Sequence, residues 1–185
     1  MNIAIDIDDT LTESFDYFLP FVAEYFGADP EVLKKKNISY STLPDEWKKD
    51  EIGFCRAYYD RVVVDTPFKP DAAQGIRKLR EMGHQIIIIT ARTTALYTDP
   101  YKTTKEELDK NGVLYDKLIC TMDKATACAD ENISVLIDDM PANCAAAAEK
   151  GISVLLFSSK GNLDVKTDFV RVETWADVIE KISQI

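Results

Sequence analysis

Five short apolar runs, residues 3–7, 85–90, 117–120, 133–137 and 152–157, constrain the fold of this chain more than any other feature. Each is near-continuous rather than alternating in polarity, the habit of strands in a parallel sheet covered on both faces. Helical patterns separate them. One spans 71–82, with Asp71 as its expected N-cap and Gly83 as its stop; another spans 103–110 and ends at Asn111-Gly112. A third spans 141–150, opening on Pro141 and ending at Gly151, and the last spans 174–183. Lys124 begins one more, leading into the fourth run. This alternation predicts an α/β fold: a doubly wound, Rossmann-like parallel sheet with right-handed crossovers.

Residues 12–67 break the rhythm. The stretch is far too long for one crossover, and only Val62, Val63 and Val64 read as a strand. It holds more than half of the aromatic residues, among them Phe15, Tyr17, Phe18, Phe21, Tyr25, Phe26, Trp47, Tyr58 and Tyr59. A mostly helical insertion over the carboxyl end of the first strand is expected, with Pro20 marking a kink and Pro44 a helix start. The expected division is a core of residues 1–11 and 68–185 and a helical cap of residues 12–67. Aromatics at helical spacing usually build a core. The competing reading is a stacking surface for a flat ligand, with Phe15 and Phe18 nearest the first strand.

The first apolar run feeds straight into Asp6-Ile7-Asp8-Asp9-Thr10-Leu11-Thr12. Ionised carboxylates are too costly to bury uncompensated, so this strand cannot continue into the interior as it stands. Strand alternation puts Asp6 and Asp8 on one side. Like charges held at a strand end suit a hard cation such as Mg²⁺, which pairs naturally with a substrate phosphate. The plainer alternative for the segment alone is an exposed strand end followed by an Asp-rich turn or helix cap, and the metal reading outweighs it. The other strand ends add weight. The second finishes in Thr90-Ala91-Arg92, Lys124 follows the third, and Asp138-Asp139 finish the fourth. Ligands of open α/β sheets bind beyond the carboxyl ends of the strands, where strand order reverses.

The formal net charge of −10 disfavours long nucleic acids, whose binding rests on Lys and Arg. It leaves room for a small phosphorylated metabolite, because a bound cation inverts the local field. No stretch approaches the length of a membrane span, and the N-terminal run, broken by Asp6, reads as no targeting segment. Cys55, Cys120, Cys128 and Cys144 form no close pair of zinc spacing, so free thiols in a reducing cytoplasm are expected. His84 is the lone histidine and follows Gly83 at a helix-to-strand turn, a poor place for a nucleophile's base.

The order Asp-x-Asp-x-Thr, Thr, helix-start Lys and acidic pair resembles the haloacid dehalogenase superfamily of phosphohydrolases, and the resemblance covers the whole chain. Residues 12–67 match that family's type-one cap. Leu136-Ile137-Asp138-Asp139-Met140-Pro141-Ala142-Asn143, with the Ala-rich helix, Gly151 and Val154-Leu155-Leu156-Phe157 after it, resembles the type C, deoxyribonucleotidase-like 5′-nucleotidase branch. Two departures stand out. Asp9 occupies a place where many members have Gly, and Ser158-Ser159-Lys160-Gly161-Asn162 replaces an aromatic-containing loop.

The resemblance implies a phosphomonoester hydrolase. Asp6 would form an aspartyl-phosphate and Asp8 would act as acid and then base. Lys124, the Thr90 hydroxyl and the Ala91 amide would hold the phosphoryl group. Mg²⁺ would sit between Asp6, the Asp8 carbonyl and the acidic pair, Asp139 binding directly and Asp138 from behind. Arg92, Phe15 and Phe18 would meet the substrate, a nucleoside monophosphate, although an ion pair is an equal use for Arg92. The rivals are a sugar-phosphate phosphatase, a phosphotransferase, a polynucleotide 3′-phosphatase and a receiver-like phosphorylatable switch. A receiver needs neither the insertion nor Asp8.

Overall fold

The computed structural model describes residues 1–29, 31, 39 and 42–185. Its strands are β1 (Asn2–Ile5), β2 (Gln85–Thr90), β3 (Lys117–Cys120), β4 (Ile133–Asp138), β5 (Ser153–Phe157) and β6 (Val170–Val172). They form one sheet in the order β3-β2-β1-β4-β5-β6, and every pairing is parallel. The expected α/β doubly wound sheet is the observed one. The chain steps outward from β1 through β2 to β3, returns to the centre at β4 and steps out the other way. Strand order therefore reverses between β1 and β4.

The helices are α1 (Ser14–Tyr25), α2 (Asp45–Lys49), α3 (Glu51–Val62), α4 (Ala72–Glu81), α5 (Pro100–Lys110), α6 (Lys124–Asp130), α7 (Pro141–Glu149) and α8 (Trp175–Ile182). Strand alternation sorts the core into two layers. Ile3, Ile5, Ile86, Ile88, Val135 and Ile137 face one side and pack with Ile76 and Leu79 of α4, Leu108 of α5 and Trp175 and Val178 of α8. Ala4, Ile87, Ile89 and Leu136 face the other, against Cys128 of α6 and Ala147 of α7. Both faces are buried, so the strands read as unbroken apolar runs. Gly75 sits mid-helix because a Cβ there would come within 2.7 Å of the Trp175 ring, so it sets how closely α4 approaches α8.

Several local expectations are corrected. β1 ends at Ile5 rather than residue 7, although the Asp6 N–H still donates to the Ile137 carbonyl at 3.0 Å. Asp71 precedes α4 in the left-handed region (φ 62°) and its side chain makes no cap hydrogen bond. Asp tolerates that conformation, so it shapes the turn instead of capping the helix. α5 begins at Pro100, earlier than expected, because the Asp99 carboxylate accepts from the Lys102 N–H. Val62 ends α3, and Val63 and Val64 lie in a 3₁₀ turn at residues 63–65 rather than in a strand. Val62 and Val63 are buried among Phe18, Phe54, Tyr58 and Tyr97, and that packing outweighs their β propensity. β6 carried no signal in the sequence strong enough to be expected.

Helices α1 and α3 make their own aromatic interior, with Tyr97 of the β2–α5 connection packed into it. Pro20 lies inside α1 and Pro44 directly precedes α2. The chain enters and leaves this layer side by side. Thr12 bridges Phe68, the Glu13 N–H donates to the Pro67 carbonyl and the Lys69 N–H to the Leu11 carbonyl, both at 2.8 Å. Among the described residues no helix is long and apolar enough to cross a membrane.

Candidate active site

The site is built at the carboxyl ends of β1 and β4, where strand order reverses. After β1 the chain winds into one tight turn, the N–H groups of Thr10, Leu11 and Thr12 all donating to the Ile7 carbonyl. Asp9 holds the left-handed position in that turn (φ 56°) where Gly is the usual solution. Its carboxylate accepts from the Phe15 N–H at 3.0 Å and so ties the turn to α1. Burial pushes the Asp9 carboxyl up to about 7 against that hydrogen bond.

Asp6, Asp138 and Asp139 are all buried, and each offers an oxygen within 4.8 Å of the others. Lys124, buried at the first turn of α6, donates to Asp6 at 2.6 Å and to Asp138 at 2.7 Å. It does not reach Asp139. Burial works against the charge of Lys124, but its two carboxylates overcome this and raise its pKa. Burial pushes Asp6 up to about 7, with Lys124 drawing it down and Asp138 raising it. Asp139 is raised well above the usual range by burial and by Asp6, Asp138 and Asp9. Among the described residues, three buried carboxylates against the one ammonium of Lys124 leave negative charge unbalanced.

The acidic neighbours differ in what holds them. Asp138 is saturated: Oδ1 accepts from the Met140 N–H at 2.8 Å, Oδ2 accepts from Lys124, and Asn143 Nδ2 donates to both at 3.1 Å. The Asp139 carboxylate accepts only from the Ser159 hydroxyl, at 2.8 Å on Oδ2. Its Oδ1 accepts no hydrogen bond among the described residues. An all-oxygen set with one such oxygen fits a hard divalent cation such as Mg²⁺.

The Asp8 carboxylate stands apart from this cluster, because the strand ends before it and alternation no longer governs its direction. Arg92 Nε and Nη2 donate to its two oxygens at 3.0 and 2.8 Å, and the Ser14 hydroxyl donates at 2.7 Å. Burial opposes ionisation of Asp8, yet the Arg92 guanidinium holds it below the ordinary carboxylate range. Arg92 is 2% exposed and also grips Glu107 of α5, which is 0% exposed. Of the two uses expected for Arg92, substrate contact and an ion pair, the structure shows the ion pair. A buried glutamate needs a cation, and Arg92 serves it from behind Asp8.

Thr90 is buried at the last position of β2, and Ala91 is half-buried after it. Thr90 Oγ1 accepts from the Arg92 N–H at 3.4 Å. Phe15 lines a cavity of about 200 Å³ beside Asp9, with Lys69, Ser159, Lys160 and Leu163 in its other walls. Phe18, expected beside the substrate, is buried in the aromatic layer and stacked on Tyr59 with ring centroids 5.1 Å apart. A larger hollow of about 740 Å³ runs between α4 and α8 past Arg77 and Trp175, and none of the clustered carboxylates lines it. His84 lies at the opposite, amino end of the sheet beside the Met1 amine.

The sequence model of the family described as 5′ nucleotidase, deoxy (pyrimidine), cytosolic type C protein matches residues 1–185. The chain belongs to this family. It is accordingly a phosphatase of the haloacid dehalogenase superfamily. No curated protein matches it in sequence. Among solved structures it resembles a protein described as a predicted phosphatase from Clostridium acetobutylicum, at 15% identity and TM-score 0.70, covering 100% of this chain and 98% of that one. A haloacid dehalogenase-like hydrolase from Streptococcus pneumoniae is similar at 15% identity and TM-score 0.65, covering 98% and 97%. A D,D-heptose 1,7-bisphosphate phosphatase from B. bronchiseptica, complexed with magnesium and phosphate, gives 15% identity and TM-score 0.55, covering 99% and 98%. At such identities these likenesses concern the fold.

In this type C nucleotidase-family chain, the sequence reading missed Ser14, Glu107, Asn143, Ser159 and Asn162 around the carboxylates. Asn143 stands in the same acidic segment as Asp138, so its position was visible and its hydrogen bonds were not. Glu107 sits in Lys105-Glu106-Glu107-Leu108-Asp109-Lys110, where nothing separates a buried glutamate from its solvated neighbours. All four cysteines are free.

Proposed function

We propose that the chain is a Mg²⁺-dependent phosphomonoesterase that acts through an aspartyl-phosphate on Asp6, with a nucleoside monophosphate as substrate. The observation that carries this reading is the buried cluster of Asp6, Asp138 and Asp139 with Lys124 as its one cation among the described residues, set where strand order reverses. Mg²⁺ would be held by Asp6, the Asp8 carbonyl and Asp139, with Asp138 behind, and would offset the charge of the incoming phosphate. The heptose bisphosphate phosphatase complexed with magnesium and phosphate supports that choice of ion.

The protein's own groups carry the chemistry. A carboxylate oxygen of Asp6 attacks phosphorus as the bond to the leaving oxygen breaks. Lys124 steadies the transferring oxygens, and Thr90 and the Ala91 N–H bind the phosphoryl group. Asp8, protonated against the pull of Arg92 once the anionic phosphate lies beside it, gives the leaving oxygen that proton, then takes one from the water that displaces Asp6 and releases phosphate. Arg92 and Ser14 orient Asp8 for both halves.

Residues 12–67 serve as a cap over a core of residues 1–11 and 68–185, hinged where Thr12 meets Phe68. Two ion pairs link the start of α1 to the core, Glu13 with Lys69 at 3.0 Å and Asp16 with Lys160 at 2.6 Å. The cavity between them takes the leaving group, and Phe15 supplies its flat wall. The family description favours a nucleotide and a cytosolic setting, and four free cysteines accord with the latter.

The test is a panel of phosphomonoesters assayed with Mg²⁺ and with excess chelator. With Phe15 in the cavity wall to stack on, nucleoside monophosphates should exceed small sugar phosphates about tenfold in kcat/KM, and chelator should abolish turnover. Better turnover of sugar phosphates would remove the nucleotide assignment. Full activity in chelator would remove the metal.

A further inference from the structure

Asp139 sits in a cradle of its own, made by the loop at residues 158–162 between β5 and β6. The Asn162 side chain is 1% exposed and saturated. Its Nδ2 donates to the Asp139 carbonyl at 2.6 Å and to the Phe157 carbonyl at 2.7 Å, and its Oδ1 accepts from the Ser159 N–H at 3.3 Å. Arg171, on β6 at the edge of the sheet, fastens the loop from behind. Its Nη1 donates to Asn162 Oδ1 at 2.8 Å, and its Nη2 donates to the Asn162 and Val165 carbonyls at 2.9 and 2.6 Å.

The hydroxyl of Ser159 has a fixed direction. It accepts from the Gly161 N–H at 3.2 Å, and Asn162 Nδ2, whose two protons go to the nearer Asp139 and Phe157 carbonyls, lies 3.2 Å away. A hydroxyl has one proton to give, and the Asp139 Oδ2 acceptor stands at 2.8 Å. Oδ2 is thereby pinned while Oδ1 stays free to bind. We infer that Ser159 and Asn162, fastened by Arg171, are positioning residues that aim the carboxylate of Asp139 at the bound divalent cation. This rests on the proposed reading of Asp139 as a direct ligand. Groups that hydrogen-bond a metal ligand orient it, and their loss typically costs about ten- to a hundredfold in affinity.

The experiment is a calorimetric titration of Mg²⁺ into the full chain, its Ser159→Ala and Ser159→Thr variants and Arg171→Met, with melting in chelator as a parallel readout. Ser159→Ala should weaken Mg²⁺ binding about tenfold or more while its melting temperature in chelator stays close to that of the parent. Ser159→Thr restores the hydroxyl and should restore the affinity, and Arg171→Met, acting through Asn162, should lose less than Ser159→Ala. Unchanged affinity in Ser159→Ala, with the parent binding normally, overturns the inference and leaves the proposed function standing. Weakened binding that tracks a fall in chelator melting and is not recovered by threonine shows a merely structural role and also overturns it. A parent that binds no Mg²⁺ removes the proposed function itself, and the inference with it.

Discussion

Two charged clusters meet at the carboxyl end of the sheet, and they are balanced differently. In the first, Asp6, Asp138 and Asp139 are buried around Lys124, which reaches only two of them. In the second, Arg92 grips both Asp8 and Glu107, and the Asp8 side chain stays 37% exposed, so water shares the load. Lys124 and Arg92 each serve two carboxylates, and the first cluster holds a third, Asp139, that Lys124 does not reach. On the proposed reading the first cluster is built around a charge that comes from outside, whereas the second closes on itself. The difference separates the group that would meet phosphorus from the group that would manage protons.

The largest effect belongs to the first cluster. Asp6→Asn keeps the size of the side chain and removes the anionic nucleophile, so phosphatase turnover with Mg²⁺ should fall by at least about three orders of magnitude. Near-normal steady-state rates in that variant would dissolve the distinction between the clusters.

The second cluster should respond in stability. Arg92→Met leaves Glu107 buried with no cation, and breaking such a pair costs roughly 3 kcal/mol or more. Thermal unfolding followed by circular dichroism should show a drop on the order of 10 °C. A loss of only a degree or two would mean that the Arg92 fork is not what balances Glu107.

A surface pair sharpens the contrast from outside the site. Asp116 Oδ2 accepts from Arg80 Nη1 at 2.6 Å and from the Ile86 N–H at 2.8 Å. Slight burial raises its pKa, but the Ile86 N–H and Arg80 together hold it below the ordinary Asp value. A carboxyl depressed in the folded state contributes stability above its unfolded pKa and loses it as pH falls through the folded one. Asp116→Asn should therefore melt about 2 °C below the parent at neutral pH. That gap should close as the pH is lowered below the ordinary Asp range, and a gap that widened in acid would have the wrong sign.

These clusters were unequally legible in the sequence. Asp6, Lys124 and the acidic pair each lie at a strand end or helix start, and a parallel sheet delivers all such ends to one edge, so periodicity alone brings them together. Arg92 is adjacent to that edge in sequence, yet the direction of its side chain is set by Glu107, on a helix whose surrounding residues give no sign of burial. Phe18 and Val63 went the same way: both were drawn into an aromatic interior contributed by α1, α3 and Tyr97, which only the tertiary structure assembles. β6 was unreadable because Val170-Arg171-Val172 is three residues long, and its Arg171 matters through contacts with a loop. Residues 30, 32–38, 40 and 41 of the expected cap lie outside the described residues.

The central claim is that the first cluster lacks a positive charge which a divalent cation supplies, and melting the parent and Asp139→Asn in chelator and in rising Mg²⁺ tests it most directly. The account predicts that the parent gains several degrees as Mg²⁺ saturates, because a ligand bound only to the folded state stabilises it by mass action. Asp139→Asn, relieved of one buried anion, should melt at or above the parent in chelator and gain almost nothing from Mg²⁺. A parent indifferent to Mg²⁺, or a variant that responds to it as the parent does, would contradict the account.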